Sequence, residues 1–107
     1  MWDKQPRYVA AQVRTPAQAR AAAAAGADRL YVAPEGAEAL QDILSDESLS
    51  PIWLVLPPFF DDAAGAWLSG VAAAHRARLA GVVAPNPGAI QAARDLGLAW
   101  VADFWTN

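Results

Sequence analysis

Residues Leu79 to Asn107 read LAGVVAPNPGAIQAARDLGLAWVADFWTN, and the order of residue types in this stretch decides the fold. Gly81–Ala84 is a short apolar run and reads as a strand. Asn86-Pro87-Gly88 then starts a helix: Asn86 caps it, and Pro87 sits at the first helical position, where a missing N–H is no loss. Gly97 stops that helix after Leu96 in the left-handed position glycine favours. Ala99–Asp103 reads as a second strand that runs into a carboxylate. Strand, short helix and strand in this order predict parallel pairing through a crossover.

The same cadence fills the rest of the chain. Tyr8–Val13 reads as the first strand. Thr15-Pro16-Ala17-Gln18 starts the first helix, with Thr15 as cap, Pro16 at the first helical position and Gln18 completing a capping box. Gly26 ends it, and Arg29–Ala33 is the second strand. The second helix is expected to open at Pro34, with Leu40, Ile43 and Leu44 at helical spacing. Ile52–Leu56 is an unbroken apolar run, as expected of a parallel strand covered on both faces. Asp61 or Asp62 caps a third helix through about Leu79, with Ala64, Trp67, Leu68 and Val71 on one stripe.

The fold class is therefore α/β, a parallel βαβαβαβαβ unit in a single domain spanning residues 1–107. Two architectures fit. One is an arc, about half, of a TIM-type barrel with strands in sequence order. The other is an open doubly wound sheet. Helices of unequal thickness, and the lack of a GxGxxG turn after the first strand, favour the arc. Such an arc has open edge strands that invite pairing. The chain is accordingly expected to be a fragment of a larger barrel or a homo-oligomer. Five tryptophans in 107 residues suit an interface, though Trp53, Trp67 and Trp100 are expected in the core. Trp2 and Trp105 are the better interface candidates.

Composition excludes several classes. Hydrophobic residues make up 55% and charged residues 18%, which argues against disorder. A net charge of −3 without a basic run disfavours nucleic acid as a direct partner. The chain has no cysteine, so disulfides, thiolate metal sites and a thiol nucleophile are absent. Neither a signal core nor an apolar run long enough for a membrane span is visible. The default is a cytoplasmic protein without membrane contact, and no metal or cofactor is expected.

Sites in α/β sheets lie at the C-terminal ends of strands. That rule selects Arg14, Glu35, the Phe59-Phe60 pair, Asn86, Asp103 and Asn107. Asp103 and Glu35 are the candidate catalytic carboxylates, able to act as a general base or to orient a ligand. The competing reading makes Asp103 a loop cap or a structural partner of Arg14. For Glu35 it is a helix first-turn carboxylate favoured by the dipole. Arg14, Asn86 and Asn107 are the candidate ligand-binding residues. The Asn86 turn could hold an anion, or serve only as a cap. Asp61-Asp62 reads as a cap before it reads as a metal pair. His75, expected in mid-helix, lies remote from the strand ends. No Ser-His-Asp, HExxH, P-loop or nucleophile-elbow pattern occurs.

These segments resemble a family. VRTPAQARAAAAAGADRLYV looks like the opening strand, T-P-E-Q-A helix and GADRIY strand of the collagenase-like peptidases, family 32 of the unassigned catalytic class. IWLVLPPFF is similar to the family's strand ending in a Leu-Pro turn. GVVAPNPGAIQAARDLGLAWVADFWTN resembles its G-V-L-V-x-N-L-G-A strand and helix followed by A-D-F-S-L-N. The first motif also recurs in copper-homeostasis barrel proteins; the last is more specific. The chain departs from the pattern at Pro87 and Trp105. The resemblance implies a TIM-type barrel and a peptidase-like hydrolase without an agreed nucleophile. In some members it implies hydroxylation chemistry at an iron–sulfur cluster, held by cysteines that lie in later parts of the family's chains. Asn86, Asp103 and Asn107 carry over as matched motif positions. A fragment of this kind is expected to be inactive as a protease in isolation. The alternative function is a non-catalytic binding or assembly module that self-associates through its open strand edges.

Overall fold

The structure is a computed structural model that describes residues 9–102. Five strands form one sheet: β1 (Ala10–Val13), β2 (Arg29–Val32), β3 (Ile52–Val55), β4 (Leu79–Ala84) and β5 (Trp100–Ala102). All neighbouring pairs are parallel, and the spatial order is β1-β2-β3-β4-β5. The crossovers are α1 (Pro16–Ala24), α2 (Ala37–Ser45), α3 (Asp62–His75) and α4 (Pro87–Asp95), with a 3-10 turn at Arg76–Arg78 between α3 and β4. The alternating α/β unit read from the sequence is present, and each strand pairs with its successor in the chain, as short crossovers favour.

Helix ends explain why these segments fold locally. Thr15 Oγ1 accepts from Gln18 N at 3.1 Å, and Asn86 Oδ1 accepts from Ala89 N at 2.9 Å. Pro16 and Pro87 occupy the first helical positions. Gly26 and Gly97, at φ 95° and 72°, close α1 and α4 with paired reverse bonds. Ala27 N donates to Ala22 O at 3.1 Å and Leu98 N to Ala93 O at 2.9 Å, the signature of a Schellman stop. The same device thus builds the first and last helices. One expected detail differs: Gln18 Oε1 accepts from Arg14 N at 2.8 Å, not from Thr15, so the box closes one residue upstream of the cap.

Two helix boundaries move. Gly36 is fully extended at φ −176° and ψ 179°, so α2 starts at Ala37 rather than Pro34, and Glu35 lies before the helix instead of in its first turn. α3 ends at His75, which is its last residue and not a mid-helix one. Leu79, expected in that helix, belongs to β4, where it is buried and pairs with Ile52.

The core lies between the sheet and its helices. Leu30, Val32, Ile52, Leu54, Val82 and Ala84 point from the strands into one cluster with Ala19, Leu40, Ile43, Leu68, Ala72, Ala89 and Ala93 from the four helices. The register places Gln12, Tyr31, Trp53, Val55, Val83 and Val101 on the opposite face. No described helix covers that face, so burial along β3 alternates, with Trp53 and Val55 half-buried. This corrects the expectation that β3 is covered on both sides. The tryptophan expectation is corrected as well. Trp53 faces away from the core, Trp67 is 38% exposed and Trp100 is 41% exposed, and the buried core is aliphatic throughout.

At the N-terminal end of the sheet, the 3-10 turn ties three helices together. Arg78 donates to the carbonyls of Leu44, Asp46 and Leu49, where α2 ends. Arg76 donates to Leu96 O, at the C-cap of α4, at 2.8 Å. Guanidinium groups suit these orphan carbonyls because a fixed fork of donors meets several acceptors at once. Arg20 of α1 pairs with Asp46 at 3.3 Å. Ser48, through its hydroxyl and then its backbone N–H, and after it Arg20, hold the Asp46 carboxyl below its ordinary value.

Candidate functional site

The loops at the C-terminal ends of the strands bring three of the sequence-selected residues to one side of the sheet. Arg14 follows β1 and is exposed. Its carbonyl accepts from Glu35 N at 3.2 Å, which joins the loop after β1 to the loop after β2. Glu35 is exposed, and the contact between the two residues runs through their backbones. Asn86 follows β4, and both ends of its amide are engaged. Oδ1 caps α4, and Nδ2 donates to Pro58 O at 3.1 Å. Asparagine is the fitting residue here because one partner is a donor and the other an acceptor. The cap bond also occupies one of the helix N–H groups an anion would need. Asp103 and Asn107 lie outside the described residues, as do Trp2 and Trp105.

Chemistry is sparse at this end. Asp61 Oδ1 accepts from Ala64 N at 2.9 Å, so the Asp61-Asp62 pair begins with a cap. Among the described residues no group of three or more His, Cys, Asp or Glu side chains could hold a metal ion. His75 stands at the far end of α3, away from Arg14, Glu35 and Asn86. The hydroxyl–carboxylate contact between Ser48 and Asp46 belongs to a local turn at the opposite end of the sheet.

Two features escaped the sequence reading. The first is an apolar cavity of about 610 Å³ between the N-terminal halves of α2 and α3, walled by Ala37, Leu40, Ala63, Ala64, Trp67 and the Pro57-Pro58 turn. Beside it, Phe59 is 86% exposed while Phe60 packs on the core. The available signal was α3 itself, apolar around its whole circumference, although a helix with one covered face needs only one apolar stripe.

The second is a cluster on the uncovered sheet face. Trp53 meets Tyr31 edge to face, with ring centroids 6.4 Å apart. The Arg29 guanidinium sits 4.7 Å from the Trp53 ring centroid, a cation–π contact. The indole lies across Gly81: a Cβ there would fall 2.5 Å from Trp53 Cζ3 and 2.6 Å from the carbonyl oxygen of Ala99. Glycine inside a strand is a known sign of close approach. What passes over it depends on the register between β3 and β4, which sequence does not disclose.

No family model, no curated protein and no solved structure matches this chain. Among the described residues no helix is long and apolar enough to cross a membrane.

Proposed function

We propose that this chain is an arc of a (β/α) barrel of the collagenase-like peptidase type, and that it acts as an assembly unit rather than as a protease by itself. One observation carries this reading: a parallel sheet covered on a single face. Parallel sheets occur almost only with both faces covered. Here Tyr31, Trp53, Val55 and Val101 present aromatic and branched apolar groups on a face no described helix reaches. Sequential strand order supports the arc, because a barrel adds strands in chain order and its inner face is closed by the strands opposite. The covering element is a second copy or the remainder of a longer chain.

The peptidase half of the reading rests on the motif around Asn86, Asp103 and Asn107. Asp103 and Asn107 lie outside the described residues, so the inactivity of the arc alone is a matter for assay. Light scattering across a wide concentration range, on the wild type and on Val101→Lys, tests the assembly. Concentration-dependent association that Val101→Lys abolishes, with helicity retained, is the expected result. A strictly monomeric wild type at high concentration overturns association between copies. Incubation with casein or gelatin is expected to give no cleavage; cleavage lost in Asp103→Ala overturns the inactive reading.

A further inference from the structure

We propose that the furrow between α2 and α3 docks an apolar peptide segment with basic side chains at one end. The site lies on the helical side of the sheet and does not depend on the barrel reading. The 610 Å³ cavity adjoins a second one of about 380 Å³, and the two share Ala37, Leu40 and Trp67. Together they run from the Pro57-Pro58 turn to His75. Among the described residues, neither has a lysine or arginine in its wall. Trp67, at the shared point, offers the kind of half-exposed aromatic surface that dominates binding energy in grooves. Ala66, Gly70 and Ala74 keep the α3 wall low, so another backbone can come close. α3, with 14 residues, is about 21 Å long, which matches three or four turns of a partner helix.

Charge selects the occupant. The end of the sheet where the furrow opens carries exposed Glu35, Glu38, Asp61 and Asp62, and among the described cations only Arg14 sits there. Helix dipoles account for acids at the starts of α2 and α3, but not for the lack of compensating lysine or arginine. Among the described residues, four carboxylates against one guanidinium attract a cationic flank. They repel a second copy, which would bring the same carboxylates to the contact.

The test is fluorescence anisotropy with two labelled helical Leu/Ala peptides, identical except for lysine or glutamate flanks. The lysine-flanked peptide is expected to bind about tenfold tighter or better, and to weaken as salt is raised. Trp67→Ala and Gly70→Glu, each checked for fold by circular dichroism, are expected to weaken it by about tenfold. Glu38→Gln with Asp62→Asn is expected to shrink the preference between the peptides. Val101→Lys, on the other sheet face and outside both cavity walls, is expected to leave binding unchanged, which separates this site from the assembly surface. Equal binding of both peptides, no binding, or binding indifferent to Trp67 and Gly70 overturns the proposal. So does self-association relieved by Trp67→Ala, because the occupant would then be a second copy.

Discussion

Replacing Gly81 by alanine adds a single methyl group, yet the structure makes it a severe change. The new Cβ would stand 2.5 Å from Trp53 Cζ3, 2.9 Å from Cε3 and 2.6 Å from Ala99 O. The indole could swing away, but it would leave both Tyr31 and Arg29. Those contacts are each worth about 0.5–1.5 kcal/mol. Ala99 O has less freedom. It accepts from Val82 N at 3.0 Å, so moving it parts β4 from β5. Overpacking of this kind costs about 1–3 kcal/mol by itself. The expected loss for Gly81→Ala is therefore about 2–4 kcal/mol. Urea unfolding followed by far-ultraviolet circular dichroism measures it. With a slope of about 2 kcal/mol per molar, the midpoint falls by about 1–2 M. Adding Trp53→Leu removes the indole but leaves the clash with Ala99 O, so the double variant recovers only part of the Gly81→Ala penalty relative to Trp53→Leu alone. A Gly81→Ala protein within about 0.5 kcal/mol of wild type, the range of an ordinary surface change, refutes the reasoning.

Three further outcomes are expected. Asn86→Ala loses both the cap and the tether to Pro58 O and falls by about 2 kcal/mol, whereas Asn86→Asp keeps the cap and falls by about 1 kcal/mol; equal stability of Asn86→Asp and wild type in thermal melts would show the tether to be idle. Arg78→Met strands three carbonyls and loses about 2–4 kcal/mol in urea unfolding, and Arg78→Lys restores only part because an ammonium cannot span them. Asp46, held below its ordinary value of 3.8 by Ser48 and then Arg20, contributes stability that is complete above that value and is lost as pH falls through its lower folded-state pKa. Unfolding midpoints measured from pH 6 downward should therefore drop less below pH 4 in Asp46→Asn than in wild type, and parallel curves would contradict this.

Reading the chain residue by residue succeeds where the cause is local. Thr15-Pro16, Asn86-Pro87, Gly26 and Gly97 mark helix ends because capping and left-handed backbone are decided within a few residues. Leu40, Ile43 and Leu44 declare their buried stripe through spacing alone. Reading fails where the cause is distant. IWLVL in β3 looks the same whether one face is covered or two, since only neighbouring elements decide it. Pro34 is an acceptable helix opener, but the backbone bond from Glu35 N to Arg14 O holds that segment in the loop, and the start is postponed to Ala37. Trp67 has helical spacing for the core and instead forms a furrow wall. At the site, Asn86 was visible as a cap but not as the donor to Pro58, a partner 28 residues away. The Arg29–Trp53–Gly81 stack spans three strands and leaves no trace in any one of them.

The turn holding Arg76 and Arg78 has a consequence for how the molecule opens. Its two side chains fasten the ends of α2 and α4, the helices on either side of α3, so none of the three can fray at that end without breaking the same short segment. The hydrogen-bonded amide protons of α2, β3, α3, β4 and α4 should therefore exchange with solvent as one slow block. β1 and α1 are joined to that block at its base by the exposed Arg20–Asp46 pair, and their protons should exchange earlier. The middle of the sheet is then the last part to yield, while its first edge strand is the first to become available for pairing.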